Sequence, residues 1–153
     1  MKYSMLNIMR RLLLLGVMVA PTVFSKPALH VLFHMGLGAN GQFFVGGTFE
    51  NKGDKDIYQG YVVIIPLTKE CYPKQPLLST FGVIKAGQKH EFKIPVQGRL
   101  NGYKLDTVHA VDSFANPIAV IDETADILAS KKESYNARCK EIRGEDNGTS
   151  LEP

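Results

Sequence analysis

Histidine and methionine side chains near the start of the chain are the residues best suited to bind a metal ion. The four histidines are His30, His34, His90 and His109, and Met35 directly follows His34. Imidazole and thioether groups are ligands that copper and zinc sites use. On a strand, His30 and His34 would share a face about 13 Å apart, too far for one ion without a sharp bend. A copper or zinc site of His34, Met35 and a partner such as His109 is therefore the alternative hypothesis. Our main prediction has no metal and no cofactor, with His90 facing the core.

A glycine-rich segment, Gly36–Gly41, matches the G-x-G-x-x-G pattern of dinucleotide-binding proteins. Asp56 even lies 20 residues beyond Gly36, where a ribose-binding acid is found in such proteins. The pattern binds pyrophosphate only at the N-terminus of a helix. Here the following residues, Gln42–Val45, read as a strand. We therefore predict a flexible connection between strands, with Gly36, Gly38 and Gly41 forming part of an interaction surface.

Residues with the composition of a hydrolase triad lie close together in the sequence, namely His109, Asp112 and Ser113. Successive residues of a strand point in alternating directions, so this spacing gives a poor triad geometry. There is no G-x-S-x-G or H-E-x-x-H motif, and the carboxylates form no convincing acid–base pair. We predict that the protein is not an enzyme and has no catalytic residues.

The two cysteines, Cys71 and Cys139, are 68 residues apart and form no C-x-x-C motif. This spacing excludes the usual zinc and thioredoxin-type motifs. An even number of cysteines in an exported protein favours a disulfide bond. The alternative is a pair of unrelated buried thiols.

The first 25 residues have the pattern of a secretory signal peptide. Lys2, Arg10 and Arg11 precede the apolar run 12–20, which is too short to span a bilayer comfortably. We predict cleavage after Ser25; the alternatives are an uncleaved anchor or a buried N-terminal helix. The three basic residues account for the whole excess of 18 basic over 15 acidic side chains. Residues 26–153 are therefore formally neutral, which disfavours nucleic acid binding and, after cleavage, membrane association. The predicted location is the periplasm or the extracellular space.

Residues 26–121 read as a domain of about seven short strands without intervening helices. This pattern predicts a mainly β fold, an antiparallel β-sandwich. Apolar and polar residues alternate most clearly in the fifth segment. The predicted strands are 28–34, 42–51, 57–67, 78–84, 88–96, 103–111 and 117–121.

Two predicted strands place aromatic residues on defined faces. In the first strand, Leu29, Val31 and Phe33 share one face. In the second, Phe43 and Val45 face the core and Phe44 faces outward. Outward Phe44 is a candidate contact residue. The alternative is that Phe44 packs beneath the C-terminal helix.

The pattern changes from strand to helix at Asp122. Asp122 can cap a helix, and the apolar residues of 123–142 recur with helical spacing. We therefore predict a helical segment at 122–142 that packs on the domain, with Cys139 on its apolar face. The polar residues 143–153 are predicted to be disordered.

Three short segments resemble immunoglobulin-like and fibronectin-III-like domains: 47–53, 86–88 and 103–111. The resemblance covers residues 28–121 and implies that Tyr103 is a tyrosine corner, whose hydroxyl binds upstream backbone. The whole layout resembles small exported bacterial proteins of unknown function with an ApaG-like sandwich. Because sandwiches of this type bind through loops and sheet edges, we predict a non-catalytic domain that binds a protein or cell-surface partner.

Overall fold

The structure is a computed structural model and describes residues 28–145. The predicted signal peptide and residues 146–153 of the predicted tail lie outside the described residues. The elements in chain order are β1 (Ala28–Ala39), β2 (Gln42–Asn51), β3 (Gln59–Pro66), β4 (Leu77–Phe81), β5 (Lys89–Val96), β6 (Tyr103–Val111), β7 (Ala119–Asp122) and α1 (Ala125–Arg143).

Seven strands form two sheets, which confirms the predicted mainly β sandwich with a C-terminal helix. The four-stranded sheet has the order β5-β2-β1-β7, and the three-stranded sheet has the order β4-β3-β6. The core between the sheets consists of apolar side chains from both, with Phe49 stacked on Phe92 at 4.6 Å between ring centroids. The largest fully buried apolar side chains are Leu29, Val31, Val45, Phe49, Ile57, Val62, Ile64 and Ile84.

Strand β5 shows the predicted alternation of buried and exposed residues. In β5, Phe92, Ile94 and Val96 are buried, while the residues between them are exposed. Burial of every second residue places one face of the strand in the core and leaves the other in water. The bounds of β2 and β6 agree with the prediction, and β5 begins one residue later.

Strand β1 differs from the prediction in both length and phase. A bulge between Val31 and Phe33 shifts its pairing with β2. Because a bulge inserts one extra residue, it reverses the alternation after it. The prediction that Phe33 shares the inner face with Leu29 and Val31 is therefore wrong, and Phe33 lies on the outer face, 49% exposed.

The predicted flexible connection at 36–41 is also wrong. Strand β1 continues to Ala39 and pairs with β2 along this length. Only Asn40 and Gly41 form the turn, both with positive φ (51° and 77°). A two-residue turn with two positive φ angles matches the twist of a hairpin. The G-x-G-x-x-G segment thus joins two strands, and no helix begins after it.

One strand pair departs from the predicted antiparallel arrangement. Strand β7 runs parallel to β1, with Ala28 opposite Ala119 and Val31 opposite Asp122. The chain can place β7 beside β1 because it crosses from the other sheet after β6. This pairing covers only the first four residues of β1.

Helix α1 confirms the predicted position but not the predicted packing. It begins near Thr124 and ends at Gly144, which adopts the left-handed conformation (φ 71°) of many helix C-termini. Cys139 is the one buried residue of the helix. Leu128, Tyr135 and Ile142 are between 42% and 48% exposed. The helix is therefore attached to the sandwich at its ends and mostly solvated between them. Residue 143 is helical and so does not belong to a disordered tail.

The disulfide joins Cys71 to Cys139, with 5.9 Å between their Cα atoms. Cys71 lies in a tight turn with positive φ (66°), closed by a hydrogen bond from its N–H to the carbonyl of Thr68. The bond holds the last turns of α1 against the loop after β3. Arg143 adds a contact there, since its guanidinium lies 5.7 Å from the ring centroid of Tyr72.

Candidate interaction surface

Apolar side chains form an exposed patch on the outer face of the four-stranded sheet. Phe33, Met35 and Leu37 project outward from β1 and are 41–49% exposed. Phe44 of β2 lies opposite Leu37 in the strand register. Gly46, opposite Met35, has no side chain and forms the floor of a shallow groove between them. We call these four large side chains, Phe33, Met35, Leu37 and Phe44, the outer patch.

Phe44 lies beside a lysine from the neighbouring strand. The Lys93 ammonium lies 4.0 Å from the ring centroid of Phe44, a cation–π contact. The residues that line the groove all come from β1, β2 and β5. The prediction of an outward Phe44 is therefore confirmed, and the alternative in which it packs beneath the helix is wrong. Sequence reasoning missed the other three members of the patch because the bulge that turns them outward has no clear sequence signal.

Two of the glycines predicted to belong to the interaction surface, Gly36 and Gly38, lie on the face of β1 opposite the outer patch. A Cβ at Gly36 would lie 2.8 Å from Leu100, and a Cβ at Gly38 would lie 2.8 Å from the ring of Phe43. Both glycines therefore leave room for neighbouring side chains on the face opposite the outer patch. Gly41 meets nothing within 4 Å and is required by its positive φ.

His34 connects three elements through a chain of hydrogen bonds. The Thr124 hydroxyl donates its proton to a carboxylate oxygen of Asp122 (2.7 Å), so its oxygen accepts a hydrogen bond from the Nε2–H group of His34 (3.1 Å). Nδ1 of a neutral His34 then accepts from the Tyr103 hydroxyl (2.6 Å). The chain ties β1 and β6 to the start of α1. It also corrects the expected tyrosine corner, since the Tyr103 hydroxyl bonds a side chain rather than upstream backbone.

Burial decides the protonation of this network. Burial lowers the pKa of His34, although nearby Asp122 opposes the shift. Burial also raises the pKa of the Tyr103 hydroxyl to about 12. Both shifts favour the neutral forms, which are compatible with this hydrogen-bond pattern.

The structure does not bring together the residues of the alternative metal site. Both ring nitrogens of His34 already have hydrogen-bond partners, and Met35 projects from the opposite face of β1. His109 lies on the other sheet and packs against Tyr61, with 5.2 Å between ring centroids. Within residues 28–145, no three His, Cys, Asp or Glu side chains are placed to hold a metal ion.

His30 takes part in a separate ionic cluster at the surface. Its Nδ1 lies 2.8 Å from a carboxylate oxygen of Glu123, which also accepts a hydrogen bond from the Lys52 ammonium. The hydrogen bond from Lys52, followed by that from His30, lowers the pKa of Glu123. The cluster links His30 of β1 and Lys52 after β2 to Glu123, which lies between β7 and α1. These contacts hold the three segments together just before the start of the helix.

Asp112, one of the three residues with the composition of a hydrolase triad, stabilises a turn. The Asp112 carboxylate accepts hydrogen bonds from the backbone N–H groups of Phe114 and Asn116, at 2.8 and 2.9 Å. The bonds from the Asn116 side chain and backbone contribute most to lowering the pKa of Asp112. His109 packs on Tyr61 and makes no hydrogen bond to Asp112 or Ser113 among the described residues. The arrangement thus offers no activated serine.

No family model matches the chain, and no curated protein matches it. A solved structure of IrmA from Escherichia coli is similar with a TM-score of 0.42 and 5% identity. The match covers 65% of this chain and 92% of that one. A likeness at this level carries no argument about function. No helix in the described part of the chain is long and apolar enough to cross a membrane.

Proposed function

We propose that this protein is an exported, non-catalytic, immunoglobulin-like domain that binds a protein partner through the outer patch. The observation that carries the proposal is the patch itself. Phe33, Met35 and Leu37 are each more than two-fifths exposed on neighbouring positions of one sheet face. Scattered apolar side chains are normal on a protein surface, whereas a contiguous group marks an interaction site.

The chemistry of the patch suits a protein surface. Aromatic, methionine and lysine side chains lie together, and the groove above Gly46 is open and shallow. Aromatic residues and methionine are enriched at protein interfaces, and methionine adapts to irregular partners. Lys93, beside Phe44, and Glu91 provide charged groups at the border of the patch. A partner with an apolar centre and a polar rim fits this arrangement.

The disulfide supports export. Disulfide bonds persist in oxidising compartments and are rare in the cytosol. The signal-peptide pattern of residues 1–25 agrees with that location. Mass spectrometry of the protein recovered from the periplasm or medium should find Lys26 as its first residue. Recovery of soluble, exported protein that begins at Met1 would contradict cleavage.

Partner capture with matched variants tests the binding proposal. Phe44→Asp places a carboxylate in the patch beside Lys93, so the domain should remain folded. Phe114→Asp is the matched control, because Phe114 is 84% exposed and lies outside the patch. The wild-type protein and both variants are used as baits. Each bait is incubated with envelope extract and cross-linked to the proteins it binds, which are then identified by mass spectrometry. We expect Phe44→Asp, but not Phe114→Asp, to lose at least nine-tenths of a specific partner. Equal capture by the wild-type, Phe44→Asp and Phe114→Asp baits would overturn the proposal.

A further inference from the structure

Strand β1 has an open edge along its second half. Strand β7 pairs with β1 only between Ala28 and Val31, and the N–H of Glu123 then binds the carbonyl of Val31. From Phe33 to Ala39, β1 pairs with β2 on one side. Among the described residues, no strand pairs with the other side of this segment. We call residues 33–39 on this side the open edge.

The backbone groups at the open edge can be assigned from the pleat. The carbonyl oxygen of Phe33 lies 2.5 Å from the position that a Cβ would take at Gly47, so it points toward β2. Backbone groups alternate sides along an antiparallel strand. Those of Met35 and Leu37 therefore also point to β2. The N–H and C=O groups of His34, Gly36 and Gly38 point to the open edge.

Two other edges of the same sandwich, those of β5 and β6, carry the usual protection against strand addition. The free edge of β5 carries exposed Lys89, Glu91 and Lys93, and its Pro95 lacks a backbone donor. Strand β6 carries Lys104 and Asp106. Charges and proline at an edge discourage pairing with another chain. Residues 33–39 contain neither a proline nor an acidic or strongly basic side chain, so this edge is open to a further strand.

We propose that the open edge binds the open edge of a second copy of this chain, antiparallel and centred on Gly36. This register places Gly36 opposite Gly36 of the second copy, and His34 opposite its Gly38. The residues whose backbone groups are free in one copy then face those that are free in the other. Each such pair exchanges two hydrogen bonds. The two four-stranded sheets become one continuous sheet.

The side chains of the open edge complement themselves in this register. On the outer face, Met35 of one copy lies opposite Leu37 of the other, so the two outer patches meet. On the inner face, Gly36 and Gly38 have no side chains that could collide. No like charges face each other, since the segment carries no Lys, Arg, Asp or Glu. A self-complementary patch of this kind produces a closed twofold dimer. The inference goes beyond partner binding and does not depend on it.

Sedimentation and light scattering of the purified protein, expressed from the full chain, test the dimer. We expect a concentration-dependent mass that changes from monomer to dimer, with a Kd on the order of micromolar because the interface is small. Met35→Lys/Leu37→Lys should weaken the dimer at least tenfold by placing lysines opposite each other. Mixing this variant with Met35→Glu/Leu37→Glu should restore a dimer of the two variants. Leu78→Lys is the matched control, since Leu78 is an exposed strand leucine on the other sheet.

Cysteine cross-linking tests the register. Opposed residues that do not exchange hydrogen bonds lie about 4.5 Å apart at Cα, which suits a disulfide. A mixture of Met35→Cys and Leu37→Cys chains should therefore cross-link, and Met35→Cys alone should not. Three results would each overturn the proposal. They are a monomer at every concentration, a dimer whose Kd does not change in the Met35→Lys/Leu37→Lys variant, and cross-linking of Met35→Cys alone. Phe44→Asp separates the two proposals, because it should abolish partner capture and leave the dimer intact.

Discussion

Asn51 offers the sharpest test of how this sandwich is held together. The residue is fully buried at the end of β2. Its side-chain N–H group donates to the carbonyls of Lys55 (2.8 Å) and Ile84 (3.0 Å), and its oxygen accepts from the N–H of Gly53 (3.0 Å). One amide thus satisfies three backbone groups in two loops. Asn51→Ala removes all three bonds at once.

The expected loss can be worked out from these three bonds. A typical hydrogen bond contributes about 1 kcal/mol net, so the change should lower the free energy of unfolding by about 3 kcal/mol. The Ile84 carbonyl keeps its bond from the N–H of Ile57 (3.0 Å), whereas the Lys55 carbonyl and the Gly53 N–H lose the partner that Asn51 supplies. For a domain of this size the melting temperature should fall by roughly 10–15 °C.

Urea denaturation with the disulfide intact measures this loss. Asn101→Ala is the control, because Asn101 is an exposed asparagine with no side-chain hydrogen bond among the described residues; it should change stability by less than about 0.5 kcal/mol. Asn51→Asp keeps the shape but directs a carboxylate at two carbonyls. Its stability should therefore improve as the pH falls and the carboxyl gains a proton to donate. A loss below about 1 kcal/mol for Asn51→Ala would refute the reasoning.

Three further predictions concern other contacts. Reducing the disulfide between Cys71 and Cys139 should release α1 while the sandwich stays folded, because the helix buries only Cys139 and an isolated helix of this length is marginal. Circular dichroism at 222 nm measures this, and helical signal that survives reduction would contradict it. As the pH falls through 6.5, the unfolded chain should take up a proton at His34 before the folded chain does, because burial lowers the folded-state pKa. Stability should therefore decline below pH 6.5, and less so in His34→Gln; parallel pH profiles would count against the buried network. Gly60→Ala should destabilise by at least about 2 kcal/mol, since the new Cβ would collide with the His109 carbonyl and the Phe81 ring, whereas Gly82→Ala, with nothing within 4 Å, should be neutral. Equal melting temperatures for the two alanine variants would contradict this prediction, because β3 would then have room to move away from His109 and Phe81.

The strands with strict alternation could be predicted from the sequence, because alternation is a local property. Strands β2 and β6 have the predicted bounds, and the inward residues of β5 are buried as expected. Residues 57–67 are apolar on both faces, which predicts a strand with neighbours on both sides, and β3 (Gln59–Pro66) lies between β4 and β6. The helix follows β7 as expected, starting at Ala125. In β2 and β5 the side chains themselves carry the period of the strand.

Asn51 shows where a correct local prediction can rest on the wrong cause. Asparagine and glycine tolerate positive φ, so their presence in residues 51–54 predicts a turn. The turn is present, but neither Asn51 nor Gly53 has positive φ. Asn51 stabilises the turn through its buried side chain, whose partners include Ile84, 33 residues away. No local pattern indicates a partner at that distance.

The sequence by itself determined the strand-rich pattern, the helical C-terminus and the two cysteines that could pair. Only the tertiary structure decided which surface is exposed. The bulge after Val31 turns Phe33, Met35 and Leu37 outward, and the short parallel β7 leaves the rest of β1 with an open edge. The physical reason is that the phase of a strand and the covering of its edge depend on the strands beside it. The local sequence specifies the period of an element, whereas its neighbours specify which face meets water.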